Sequence, residues 1–333
     1  MTLRTFTVAA VSLLLFVATA CAATQPSAPA THPTGSALHQ ISVNGVVLHY
    51  TEHGSGAPVV FVHGGLADYR EWLPTAGHLP EGYRSFTYSR RYDYPNRNPL
   101  RPHANHSALI EAEDLAALLR KLKIAPAHLI GVSYGAYTVL LVALKHPELV
   151  RTIVLAEPPL MKWLPDLPGG QAVFDDFMTQ LLIPVGKAFR VGDQERALRL
   201  TIAYFTGSRD TYDQLPPEDR SQLHDNSREW EALTTSRDSF PAITRDDVRR
   251  LKTPALIIKG EKTYQIGQLI DPELMRLLPS ASHAVIPNGT HEMCSEYPNA
   301  CADAIAAFLA RNATHGQLHD DAFPAAIGPA PHN

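Results

Sequence analysis

Between residues 39 and 311 the apolar positions follow two patterns: short unbroken runs rich in β-branched residues, and longer stretches where apolar residues return every three or four positions. The first predicts strands buried on both faces, the second amphipathic helices. Ile41-Ser42-Val43 and Val46-Val47-Leu48-His49-Tyr50 flank Asn44-Gly45, the dipeptide of a tight two-residue turn, so an antiparallel pair should open the domain. Pro58-Val59-Val60-Phe61-Val62 is the first fully buried run and stops at a glycine pair; others lie at 85–88, 128–132, 151–156, 255–259 and 283–286. Between them, residues 107–123 set Ala108, Ala112, Leu115, Leu119 and Leu122 on one helical stripe, and 136–145 form a more apolar helix. Asp271-Pro272-Glu273 reads as the start of another helix, and Pro298 opens the last, expected to run to about Arg311. This alternation predicts an α/β fold with a mainly parallel, doubly wound sheet.

Residues 158–250 break the rhythm, with helical patterns at 173–189, 195–205 and 216–235 and no strand run. They are expected to form a helical cap inserted between two core segments, 39–157 and 251–312. Phe174, Phe177, Met178, Leu181 and Leu182 recur at helical spacing there and are expected to roof an apolar pocket that favours lipophilic substrates.

The two ends differ from this body. Residues 1–20 join Arg4, an apolar run of about a dozen residues and the small residues Ala18 and Ala20, a secretory signal too short to span a bilayer. Ala18-Thr19-Ala20-Cys21 resembles a bacterial lipobox, which would leave Cys21 lipidated at the mature N-terminus; ordinary cleavage after Ala20 would give a soluble secreted form, and both readings stay open. Residues 21–38, rich in Ala, Pro, Ser and Thr, are expected to be a disordered tether, and 313–333 a disordered tail.

Composition narrows the partners. With 45% apolar and 19% charged residues the chain is globular in character. Its 29 Lys and Arg against 33 Asp and Glu, net −4, lack the basic excess that counterion release requires, so no nucleic acid partner is expected. Membrane contact is expected only through an N-terminal lipid, and a small molecule is the expected partner. With Cys21 at the processing site, Cys294 and Cys301 remain as an even pair, expected to form a disulfide in an oxidising compartment. Seven residues along one helix would rise about 10.5 Å, beyond the ~7 Å limit between bridged Cα atoms, so the helix must begin near Pro298 and leave Cys294 in a loop.

The chemistry concentrates in three loops. Leu129 to Ala136 reads as a strand, the turn Gly131-Val132-Ser133-Tyr134-Gly135 and a helix, which would hold Ser133 exposed at the carboxyl edge of the sheet as a candidate nucleophile. Phe61-Val62-His63-Gly64-Gly65 ends an earlier strand with glycines that let backbone N–H groups face a cavity; Gly65 and Tyr134 are the candidate oxyanion donors, and His63 is expected to brace the loop. His291, in Pro287-Asn288-Gly289-Thr290-His291 after the last strand run, is the candidate general base. No H-E-x-x-H, Cys/His cluster, P-loop or dinucleotide glycine spacing occurs, so neither metal nor cofactor is expected.

The HGG loop, the GVSYG turn, the inserted cap and the GTH loop, in this order over residues 41–311, resemble the α/β-hydrolase superfamily. The resemblance implies Ser133 as nucleophile, His291 as base and an acid between them in chain order. Many relatives carry that acid after the seventh strand as G-x-x-D, but this chain reads Gly260-Glu261-Lys262-Thr263, and Thr263 cannot serve. Others, lactonases and dehalogenases among them, carry it after the sixth strand, where Leu155-Ala156-Glu157-Pro158-Pro159 stands; Glu157 and Glu261 both remain candidates. A serine nucleophile argues against haloalkane dehalogenase and epoxide hydrolase chemistry. The expected function is an exported hydrolase cleaving a carboxylic ester or lactone of a small, lipophilic substrate by a Ser-His-Glu triad through an acyl-enzyme. A cofactor-free lyase or carbon–carbon hydrolase on the same triad, and an inactive binding protein of this fold, stand as alternatives.

Overall fold

A computed structural model describes residues 37–100 and 105–320, with side chains as far as residue 312. The expected signal, Cys21, almost all of the tether and residues 321–333 lie outside the described residues.

β1 (His39–Val43) and β2 (Val46–Gly54) form the opening hairpin, with Asn44 and Gly45 at φ 46° and 77°, the left-handed pair that such a turn requires. There follow β3 (Gly56–Val62), α1 (Leu73–Ala76), β4 (Gly82–Tyr88), α2 (Ala108–Leu122), β5 (Ala127–Val132), α3 (Tyr134–Lys145) and β6 (Val150–Ala156). The next hundred or so residues contain helices and no strand among the described residues. α4 (Gly170–Asp176), a π-helical turn over Phe177–Leu182 and α5 (Ile183–Arg190) make one continuous rod. After it come α6 (Gln194–Thr206), α7 (Thr211–Gln214), α8 (Pro217–Asp225), α9 (Ser227–Thr235) and α10 (Arg245–Arg249). β7 (Ala255–Gly260), α11 (Gln265–Leu277), β8 (Ser282–Ile286), α12 (Met293–Glu296) and α13 (Pro298–Asp320) complete the chain.

The strands form one sheet in the order β1-β2-β4-β3-β5-β6-β7-β8, antiparallel in the pairs β1–β2 and β2–β4 and parallel from β4 onward. The unbroken apolar runs have a direct cause. Successive strand residues point to opposite faces, and both faces are covered. Val60, Val62, Leu129, Leu155 and Ile257 pack with α2, α3 and α11, whereas Val59, Phe61, Ile130, Val154 and Ile258 pack with Trp72 and with Ile305, Phe308 and Leu309 of α13. On α2 the stripe Ala108, Ala112, Leu115 and Leu119 is fully buried, so Leu115→Ala would cost about 2–5 kcal/mol.

Four expectations need correction, the first being Cys294, which lies not in a loop but in the one-turn helix α12. Asp271-Pro272 does not start a helix: α11 begins at Gln265, and both residues lie inside it. The recurrence of Ile266, Ile270, Leu274 and Leu277 carries the helix through Pro272, so packing overrides the local start signal. The stretch 216–235 is two helices, because Asn226 leaves the helical ladder to bond the core: its Nδ2 donates to Asp68 Oδ2 and its Oδ1 accepts Tyr94 N–H, both at 2.8 Å. The last helix continues to Asp320, past the expected end near Arg311 and into the segment expected to be a disordered tail.

Candidate active site

The turn from β5 into α3 folds as it does because two glycines permit it. A Cβ on Gly131 would lie 2.6 Å from the Gly135 backbone, and one on Gly135 would collide with the carbonyl of Val62. Ser133 between them takes φ 51° and ψ −124°, strained for a residue with a side chain, and its N–H is tied to Ala156 O at 2.8 Å. The elbow is thereby fixed to the end of β6.

Glu157, the next residue after β6, also has positive φ, 50°, and is 3% exposed. Its Oε1 accepts Gly260 N–H at 2.9 Å, and its Oε2 accepts the Thr263 hydroxyl and meets His291 Nδ1, each at 2.5 Å. A carboxylate offers no proton, so Nδ1 carries the hydrogen and Nε2 is left as the acceptor. The Tyr264 ring packs 5.0 Å from the imidazole and restricts its rotation. Burial lowers the His291 pKa, but the Glu157 hydrogen bond and the charges of Glu292, Glu157 and Asp271 outweigh it, so the net shift is upward. Glu261 is not in this group: it is exposed and accepts Asn288 N–H at 2.7 Å. Thr263, standing where many relatives carry an acid, instead donates to the acid of the neighbouring strand. No hydrogen bond joins Ser133 Oγ to His291 among the described residues; both face one cavity, and such contacts commonly tighten only when substrate binds.

The HGG loop is held from three sides. His63 Nε2 accepts Arg90 N–H at 3.0 Å, so its Nδ1 donates to Gly64 O at 2.8 Å; burial and the Arg90 charge push its pKa down to about 3, which keeps the ring neutral. Arg90 Nη2 also donates to Gly64 O at 2.8 Å, and Glu71 Oε2 accepts Gly64 N–H at 2.9 Å. The N–H groups of Gly65 and Tyr134 make no hydrogen bond among the described residues, and both residues line the cavity. Arg90 is fully buried and pairs with Glu229 of α9 at 2.9 Å, fastening the helical insertion to the loop beneath it.

The cavity holds about 430 Å³. Its floor and wall carry Ser133, His291, Glu157, Glu71 and Glu292, and its roof is mainly apolar, with Phe177, Ile202, Phe205, Trp230 and Phe240 beside the polar Thr201, Thr206 and Gln222. Of the five residues expected to form that roof, only Phe177 does. Phe174, Met178 and Leu182 line an adjoining cleft of about 230 Å³ that shares Met161, Phe177 and Phe240 with the first, and Leu181 is fully buried. Residues 174, 178 and 182 form one i,i+4 row of the rod and 177 and 181 the adjacent row; only the second turns inward.

Arg90, Glu71, Glu229 and Asp271 were not among the expected site residues. Asp271 is fully buried with neither carboxylate oxygen hydrogen-bonded among the described residues; burial and the charge of Glu157 push its pKa up to about 8.

The carboxylesterase CesB of Bacillus subtilis shares the fold with a TM-score of 0.64 at 21% identity, covering 84% of this chain and 93% of that one. An enol-lactonase of Burkholderia xenovorans LB400 does so with a TM-score of 0.63 at 20% identity, covering 82% of this chain and all of that one. In sequence the chain is 32% identical over 124 residues to the uncharacterized hydrolase YraK of Bacillus subtilis, a match spanning 37% of this chain and 45% of that protein. Together with the elbow, the sheet order and a match over residues 59–306, these likenesses lead to one conclusion: the chain is a hydrolase-fold protein that belongs to the alpha/beta hydrolase family.

Proposed function

We propose that this protein is a serine hydrolase that cleaves a carboxylic ester or lactone of a small, lipophilic compound. The observation that carries the reading is the hydrogen bond from His291 Nδ1 to Glu157, on the same cavity as the strained Ser133. Ser133 Oγ attacks the carbonyl carbon while His291 Nε2 takes its proton, and the Glu157 carboxylate offsets the imidazolium charge. The carbonyl oxygen becomes negative and is received by the N–H groups of Gly65 and Tyr134. As the tetrahedral intermediate collapses, His291 returns the proton to the departing alkoxide and an acyl-Ser133 remains. Water, deprotonated by His291, then attacks the acyl carbon, releasing the carboxylic acid and restoring the serine.

Volume and lining support the substrate class: about 430 Å³ under a roof of Phe177, Phe205, Trp230 and Phe240 suits a compact apolar acyl or alcohol part. The reactions named for the esterase and the lactonase of the same fold agree with it. Export is part of the proposal and rests on the N-terminal pattern of Arg4, apolar run and small residues. A fluorophosphonate probe should label the wild type at Ser133 and leave Ser133→Ala unlabelled, and a panel of acyl esters and lactones should be turned over only by the wild type. A wild type that hydrolyses none of the panel and takes no label would overturn the reading.

A further inference from the structure

Glu71 stands on the cavity wall, one residue before the buried Trp72, and the triad chemistry does not use it. Its Oε2 accepts Gly64 N–H at 2.9 Å. Its other oxygen lies near the same glycine as the nucleophile's side chain: a methyl group placed on Gly64 would meet Ser133 Cβ at 3.5 Å and Glu71 Oε1 at 3.8 Å, and Glu71 and Ser133 line one cavity. On the opposite side of the same glycine, the carbonyl is gripped by Arg90 Nη2 and His63 Nδ1. Gly64 C=O and Gly65 N–H belong to a single planar peptide, and glycine by itself does little to fix that plane. A clamp on both the N–H and the carbonyl of Gly64 therefore determines where Gly65 N–H points.

We propose that Glu71 is a positioning residue of the Ser133 reaction: its carboxyl clamps Gly64 so that Gly65 N–H stays aimed at the developing oxyanion, and once ionised its charge opposes that oxyanion and slows acylation. The inference rests on Ser133 being the nucleophile. The charged and titratable groups facing Glu71 are Glu292 from the loop before α12, His291 and Arg90. Burial and the Glu292 charge push the carboxyl up to about 8, against the pull of Gly64 N–H, Arg90 and His291. Glu71 is thus mostly protonated below about pH 8 and becomes charged as pH rises through it. A unit charge on the wall of the same cavity opposes an oxygen that turns negative there and should slow the step by at least about tenfold.

The test is the rate at which a fluorophosphonate labels Ser133, followed from pH 6.5 to 9.5 together with kcat on the fastest ester, in the wild type, Glu71→Gln, Glu71→Ala and Asp271→Asn. The wild-type rate should fall at least about tenfold with a midpoint near 8. That fall should persist in Asp271→Asn, which removes a second carboxyl raised to about 8, and be absent in Glu71→Gln, whose amide oxygen can still accept Gly64 N–H. Glu71→Ala, lacking the clamp, should be slower at every pH. A wild type with no alkaline fall, or a Glu71→Gln that falls in parallel with it, overturns the inference and leaves the nucleophile intact. A wild type that takes no label at any pH removes the nucleophile and this inference with it.

Discussion

Replacing Glu157 by glutamine changes almost no volume, yet the hydrogen bonds around it leave an amide no good orientation. Oε1 accepts Gly260 N–H at 2.9 Å, while Oε2 accepts Thr263 O–H and faces His291 Nδ1, both at 2.5 Å. Glutamine has one acceptor oxygen and one donor group. With its oxygen kept on Gly260, the NH2 group faces His291 and drives the ring to the tautomer protonated at Nε2, the nitrogen that must take the Ser133 proton. With the amide reversed, NH2 confronts Gly260 N–H, donor against donor, at a position 3% exposed. Either way the imidazolium loses its negative partner, a loss that lowers turnover by ~10⁴ in serine proteases. We expect kcat to fall at least about a hundredfold in Glu157→Gln, about 2.7 kcal/mol of barrier, with the fold intact. Glu261 spends its carboxylate on Asn288 N–H and is exposed, so Glu261→Gln should change kcat less than about tenfold. Steady-state kinetics of both variants, read beside their thermal unfolding, decide the matter. A larger loss in Glu261→Gln would transfer the acid to that residue, and small, equal losses would remove the acid from the mechanism altogether.

Because the pKa of His291 is raised above 6.5, and a protonated imidazole cannot take the serine proton, activity should fall as pH drops through a midpoint above 6.5 in a kcat/KM profile; a midpoint near 6 or lower contradicts the charge balance described above. Cys294 and Cys301 are bonded in the structure with Cα atoms 5.4 Å apart, so neither should react as a free thiol in the non-reduced protein, and Cys301→Ser should lose roughly 2–3 kcal/mol in denaturant unfolding; alkylation of both Cys294 and Cys301 without reduction would refute this. Arg90→Met leaves Glu229 buried without its cation and should lower stability by about 3–5 kcal/mol, part of which Arg90→Met/Glu229→Met recovers; an unchanged unfolding midpoint for the single variant would show that the ion pair does not fasten the helical insertion. In a bacterial host, Cys21→Ser should shift the protein from the membrane to the soluble envelope fraction, and a wild type already soluble there would rule out the lipid anchor.

The inner part of the sheet was legible in the sequence because its parallel strands are buried on both faces, which leaves runs such as 58–62 and 129–132 without a polar interruption, whereas the run at 283–286 proved to be the edge strand β8, with Val285 52% exposed. The helix ends were less legible, and for a specific reason. Asn226 breaks the 216–235 pattern because Asp68 and Tyr94, more than a hundred residues earlier, offer its side chain better partners than solvent does. α11 passes through Pro272 because four apolar residues on one face bind it to the sheet. In each case a contact distant in the chain decided a boundary that local signals placed elsewhere.

The site divides in the same way. Ser133 and His291 could be read because each sits in a short motif whose residues touch one another: glycines two positions away on either side of the serine, and a strand ending just before the histidine. Which carboxylate meets His291 could not be settled from the sequence, since Glu157 and Glu261 each follow a strand, and what separates them is that the β6 end lies where His291 reaches it while Glu261 turns to Asn288. Thr263 makes sense only with that geometry in view: a residue that disqualifies its own position as acid stabilises, by its hydroxyl, the carboxylate on the next strand. Glu71 and Arg90 were less visible still, because Arg70-Glu71 and Arg90-Arg91 have the look of solvated surface charge. One signal was present. Arg90 lies two residues past the carboxyl end of β4, at the edge of the sheet where β5 delivers Ser133, and a charge there that finds no solvent must find partners. It finds Glu229 above and Gly64 below, and through Gly64 it acts on the peptide that presents Gly65 N–H.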